Sequence, residues 1–347
     1  MRTAIQISGD IASWSEGVDF VVEAERLGVD MVWVAEAWGA DGPSVLGYLA
    51  ARTERMTLGS GILQLGVRSA AMTAQTALTL AKMSGDRFIL GLGASGPQVM
   101  EGLHGVAFAH PLGRMRETID VIRQAFAGDR ISYDGTHLKL PLPAGEGKAL
   151  RLSLEPNDQI PIYLATLSPK LLELTGELAD GWVGTSFIPE GSDEAYFHHL
   201  RLGAERAGRD LSAIDICQGA EVAFAQDEIE LEDMIDARRP GLAFSLGGMG
   251  SATTNFYNSA YSRQGFAEVA AESQQLWVSG DRTRAAAVIP DEMVLATTLI
   301  GTEEMVAARL ALWREVGVDT VRLYPAGDSL DERLTTLGRA LDLIPRS

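Results

Sequence analysis

The chain has 347 residues, of which 46% are hydrophobic and 22% charged, and its formal net charge is -18. This composition supports a sizeable core and excludes global disorder, while the negative charge disfavours nucleic acid and anionic membrane surfaces as partners. Cys217 is the only cysteine, so neither an intrachain disulfide nor a Cys-rich zinc site can form, and a reducing cytoplasm is the expected location. The N-terminus lacks a charged segment followed by a long apolar one, and no run of about 18 apolar residues occurs, so neither a signal peptide nor a membrane span is expected.

In chain order, short apolar runs alternate with longer amphipathic ones. Thr3–Ile7 reads as a strand and Trp14–Leu27 as a helix ending at Gly28. Met31–Ala35 is a second strand, with Gly42–Arg52 helical after it. The third strand, Met56–Ile62, precedes a helix at Met72–Met83, and the fourth, Phe88–Gly93, precedes a helix at Pro111–Phe126. Residues 128–159 form an insert, with Tyr133–Pro143 as a hairpin turning at Asp134-Gly135. Strands five to seven are Ile160–Thr166, Gly181–Gly184 and Ile214–Ala225, with helices Pro169–Leu178 and Glu194–Ala207 between them. Asp227–Val318 is a mostly helical insert, Thr320–Tyr324 is the eighth strand, and a helix from Ser329 closes the chain. The strands are buried and do not alternate, which demands a parallel sheet covered by helices. Eight such units predict one (β/α)8 TIM barrel spanning residues 1–347, with its active groups just beyond the C-terminal strand ends.

Several strand ends carry candidate chemistry. Gly91-Leu-Gly93-Ala-Ser-Gly96 spells G-x-G-x-x-G, but it follows the fourth strand, and the acidic residue at the ribose-binding offset, Glu117, falls inside a helix. A dinucleotide turn is therefore disfavoured. Two readings remain for these glycines: close packing, or a flat pocket floor. Ser168-Pro169 opens a helix after strand five, either as an ordinary N-cap or as an anion site, with Gly184-Thr185-Ser186 beside it. Glu36 lies just past the second strand as a proton handler or a salt-bridge partner, and Trp38 either walls a pocket or packs. Gly59 and Gly61 in the third strand suggest a bulge or a simple kink. The five histidines lack metal-ligand spacing, so no metal is expected.

The run VWVAEAWGADGPSVLGYLAARTERMTLGSGILQLGVRSAAMTAQTALTLAKMSGDRFILGLGASGPQVMEGLHG closely resembles the luciferase-like oxidoreductases that use the deazaflavin coenzyme F420. IPIYLATLSPKLLELTGELADGW does the same. SLGGMGSATTNFYNSAYSRQGF, Ser245–Phe266, is similar to methylene-tetrahydromethanopterin reductase and its actinobacterial relatives. The resemblance implies a bacterial-luciferase-like barrel holding F420, hydride transfer at the deazaflavin C5 to or from a small organic substrate, and a homodimer. It implies a non-prolyl cis peptide at Gly61–Ile62 behind the ring, contacts from Glu36, Gln64, Ser95 and Gln98, and a phosphate held by Thr166, Leu167 and Ser168 with Gly184 and Thr185. It departs from the sugar-phosphate dehydrogenases of the group at Ala37, where they carry a histidine base, and at Ser95-Gly96-Pro97-Gln98, which lacks their glutamate acid. The departure favours reduction of an activated C=N, C=C or C=O bond, with Glu36 or solvent giving the proton. An FMN-dependent monooxygenase and a non-catalytic cofactor-binding protein are the alternatives.

Overall fold

A computed structural model describes residues 1–7, 14–250 and 254–345. Eight parallel strands close a barrel: β1 (Arg2–Ile7), β2 (Met31–Val34), β3 (Thr57–Ser60), β4 (Phe88–Gly93), β5 (Ile162–Ala165), β6 (Gly181–Val183), β7 (Asp215–Phe224) and β8 (Thr320–Pro325). Each pairs in parallel with the next, and β8 pairs with β1 through Arg2↔Thr320 to Ile5↔Leu323. The (β/α)8 architecture follows from the strands' composition: outward residues such as Leu58, Leu90, Ile162 and Val321 meet the helical layer in the main core.

The inward residues form a separate cluster of Ala4, Met31, Trp33, Ile89, Tyr163, Val183 and Cys217. Glycine makes room for the large members. A methyl group on Gly59 would overlap the Trp33 ring, and one on Gly91 would overlap the Ser60 carbonyl oxygen. Ser60 Oγ also donates to Gly91 O at 3.0 Å and accepts from Gly91 N at 2.8 Å. Packing thus explains the first glycine of the G-x-G-x-x-G stretch. Glu117, at the ribose offset, instead accepts backbone N–H bonds from Thr136, His137 and Leu138 at 2.6–2.8 Å and fastens the hairpin to the helix Pro111–Phe126. Against the desolvation of its site, these bonds hold its carboxyl below the usual range.

Two boundaries differ from expectation for physical reasons. The third strand stops at Ser60, just before the cis Gly61–Ile62 peptide, and resumes as Leu63–Gln64 against β4. The predicted Asp227–Val318 insert contains helices Glu228–Gly247, Phe256–Tyr261, Ala267–Val278, Arg282–Ala287 and Asp291–Thr297. It also contains a strand, Leu299–Gly301, paired with the end of β7, and the helix Glu303–Glu315 that leads into β8. Glu303–Glu315 occupies the position of the barrel's own seventh helix. Only the preceding helices rise as a cap over β7, with a small core of their own around Ala243, Leu246, Tyr261 and Met293. Part of the Ser245–Phe266 segment, residues 251–253, lies outside the described residues.

Candidate active site

The strand ends that the barrel gathers surround a cavity of about 640 Å³. Glu36, Gly61, Ile62, Gln64, Ser95, Gln98, Thr166, Leu167, Ser168 and Thr185 all line it. Of the residues expected there, only Gly184 is absent from the lining. It faces Gln218, whose amide occupies the space a side chain at 184 would need, and so serves as packing between β6 and β7.

The floor is backbone. Gly61, Gly93 and Gly96 lie along it, and a methyl group on Gly93 would come within 2.9 Å of Ile62. Ser95 holds φ = 60°, a left-handed conformation at the turn after β4, and the chain beyond it continues along the cavity at Gly96 and Gln98. This smooth surface suits a planar ring.

Glu36 sits at one side. Arg68 grips it with two N–H···O bonds of 2.5 and 2.9 Å, and Gly42 N donates to the same carboxylate at 2.8 Å. Arg68 also reaches Asp41, the N-cap of the helix Gly42–Ala50. The hydrogen bond that Arg68 donates to Glu36 is the leading cause that raises the Arg68 pKa. Glu36 is therefore the salt-bridge partner of the two readings its sequence position allowed. Both oxygens already accept hydrogen bonds, which fits an anchoring acceptor better than a proton donor.

Gln64 is 4% exposed, and its Nε2 donates to the carbonyls of Glu36 and Ala37 at 3.2 and 3.0 Å. Those bonds orient the amide and leave Oε1 buried without a partner among the described residues. An unpaired buried acceptor at a cavity wall is costly unless a ligand N–H meets it.

The opposite end is the N-terminus of a helix. Ser168 caps the helix Pro169–Leu178 by backbone alone, so its hydroxyl is not engaged in capping. Thr166 is locked by Thr175 Oγ1 at 2.7 Å and by Trp182 Nε1 on its carbonyl at 2.9 Å. Arg263, which the sequence reading did not single out, reaches in from the cap and donates to Leu167 O at 2.6 Å. Its Nε is buried and unpaired, and burial lowers its pKa. No carboxylate pairs with it among the described residues. Arg263 is not among the residues that line the cavity, and it bears on this end through the Leu167 carbonyl, in a chain with 47 acidic residues against 29 basic ones.

The roof comes from the helical insert before β8. Phe244, Gly248, Met249, Phe256 and Tyr257 descend from the cap, and Phe108 meets Phe256 with ring centroids 6.2 Å apart. Trp38 is 60% exposed at the rim. Aromatic residues scattered over loops and two inserted helices carry no periodic signal, so only the fold could assemble them.

The cavity lies at the strand ends of a (β/α)8 barrel, under a helical cap over β7, where barrel enzymes carry their active sites. The chain belongs to the luciferase-like monooxygenase family, whose family model matches residues 1–320. It is 38% identical over 324 residues, 90% of each chain, to a Mycobacterium tuberculosis protein provisionally named a coenzyme F420-dependent oxidoreductase. It is 28% identical over 94% of each chain to 5,10-methylenetetrahydromethanopterin reductase of Archaeoglobus fulgidus. Its fold matches an F420-dependent secondary alcohol dehydrogenase, solved with an F420-acetone adduct, at a TM-score of 0.78, 17% identity and 99% coverage of both chains.

Proposed function

We propose that the protein is a coenzyme F420-dependent oxidoreductase that reduces an activated C=N, C=C or C=O bond of a small organic substrate. The observation that carries the proposal is the cavity itself: a backbone floor for a planar ring, an orphaned Gln64 Oε1 for a ring N–H, and the helix N-terminus at Leu167 and Ser168 for a phosphate. The choice of deazaflavin over FMN rests on the relatives named above. When bound and reduced, F420 supplies a hydride from C5. The protein's part is to bind, orient and exclude water.

Glu36, clamped by Arg68, fixes the backbone of the loop after β2, on which Gln64 hangs. Ile62, beside the cis peptide, backs the ring. Leu167, Ser168 and Thr185 hold the anionic tail, and Arg263 supports them through the Leu167 carbonyl. The reducing direction is supported by what lines the substrate side. Ala37 offers a methyl group, Ser95–Gln98 offers no carboxylate, and the one lining carboxylate among the described residues is already paired with Arg68. Tyr257 lines the cavity, and burial holds its phenol above the ordinary range, so it is protonated at neutral pH and is the lining side chain we assign to proton delivery to the reduced substrate.

Fluorescence titration tests the cofactor. The protein should bind F420 more tightly than FMN. Ser168→Asp places a negative charge against the phosphate and should weaken F420 binding about tenfold, roughly 1.4 kcal/mol. Arg263→Ala should do at least as much. Preference for FMN would select the monooxygenase reading, and unchanged affinity in both variants would place the phosphate elsewhere.

A further inference from the structure

The side chains that line the cavity include no cation. Among the described residues no Lys, Arg or His is part of the lining, and its one carboxylate, Glu36, is already matched by Arg68. Residues 8–13 and 251–253, outside the described ones, contain no Lys, Arg or His either. The anionic tail assigned above to Leu167, Ser168 and Thr185 is met by backbone at a helix N-terminus and by hydroxyls. The rest of the wall offers a second anion no cationic partner.

That remaining wall is apolar and open. Trp38, Leu103 and Phe244 all line the cavity, and Leu103 and Phe244 keep 57% and 41% of their surface exposed. Met249 and the Phe108–Phe256 pair complete it. Phe244 is held in place by an edge-on contact with Trp277, with ring centroids 5.8 Å apart. Gly248 makes room for it, since a methyl group there would come within 2.5 Å of the Phe244 ring. The polar lining side chains from the loop after β4 and from the cap, Ser95, Gln98 and Tyr257, are neutral, and burial keeps the Tyr257 phenol protonated. Large apolar side chains left open in a cavity are stabilised when an apolar ligand covers them. A carboxylate or phosphate moved there loses its hydration and gains no ion pair in exchange.

We infer that the substrate is an uncharged, predominantly apolar molecule with a conjugated ring next to the bond that is reduced, seated between the cofactor ring and this aromatic wall. The inference rests on the F420 reading above, which gives the glycine floor and the helix N-terminus to the coenzyme and leaves the wall to the substrate. Flat, conjugated groups gain most there, because aromatic rings attract one another beyond the area they bury. Phosphorylated sugars and free carboxylic acids fall outside the class.

Benzylideneacetone, a neutral aryl enone, and its para-carboxylate analogue carry the same reacting group and differ in charge. Calorimetric titration of the full chain loaded with F420 should show the neutral probe binding about tenfold or more tightly than the carboxylate. Met249→Arg, which places a cation in the wall, should lower that ratio about tenfold by strengthening the carboxylate probe. Equal affinities, a preference for the carboxylate, or no binding of the neutral probe up to its solubility limit overturns the inference in the unmodified chain, even if Met249→Arg does not fold. An unchanged ratio in folded Met249→Arg overturns it as well. F420 uptake is read first, by fluorescence. An unmodified chain that takes up no F420 overturns the cofactor reading, whereas one that takes it up and does not discriminate between the probes overturns the substrate class alone.

Discussion

Replacing Gly91 with alanine should lower the stability of the fold by about 3 kcal/mol or more, read as the fall in urea midpoint at constant slope. The added methyl group would overlap the Ser60 carbonyl oxygen and press on Trp33 Cζ3 at 3.3 Å. Neither neighbour can yield. Ser60 is bonded on both sides to Gly91, and Trp33 is 0% exposed in the barrel interior. Because β4 then leads into Gly93 and Gly96, the same change should also disturb the cavity floor and reduce cofactor affinity. Gly338→Ala is the control: nothing lies within 4 Å of its added methyl group, and it sits in the helix Leu330–Asp342. There the substitution should stabilise by roughly 0.5–1 kcal/mol. Equal effects at the two sites would refute the close approach of β3 and β4.

Arg68→Ala should also be costly. Glu36 and Arg68 are only 11% and 19% exposed at their side chains, so removing the cation strands a partly buried carboxylate beside the cavity. About 3 kcal/mol of stability should be lost, and F420 affinity should fall at least tenfold. Glu36→Gln should soften the defect: the double variant should recover part of the stability, since no uncompensated charge remains. Its pattern also separates the two roles of Glu36. An anchoring residue moves affinity and stability together. A proton handler would lower turnover while leaving affinity close to that of the unmodified protein.

The eight strand positions were legible because barrel strands are continuous apolar runs between helices with ordinary caps. Ser69 before Ala70–Ser84 and Ser329 before Leu330–Asp342 both cap as their residue types dictate. The strand-end residues, from Glu36 to Ser168, were legible because a closed barrel sends every C-terminal end to one face, so counting strands locates the site. Gly184 shows the limit. It lies at a strand end among small and hydroxylic neighbours, yet points outward against Gln218, because inward and outward positions alternate and one residue of register reverses the assignment.

The sequence by itself determined the barrel and brought the glycines after β4 and Ser168 after β5 to one face, because that depends on local pattern and on strand order. Tertiary structure alone decided the partners. Arg68 claims Glu36 from 32 residues away, Arg263 reaches Leu167 from 96, and Arg322 reaches Gly184 from 138. Charge and hydrogen bonding act between groups that meet in space, and the separation of those groups along the chain carries no trace of the meeting. That is why the sequence could place Glu36 and Ser168 at the site, while only the fold could show what holds them there.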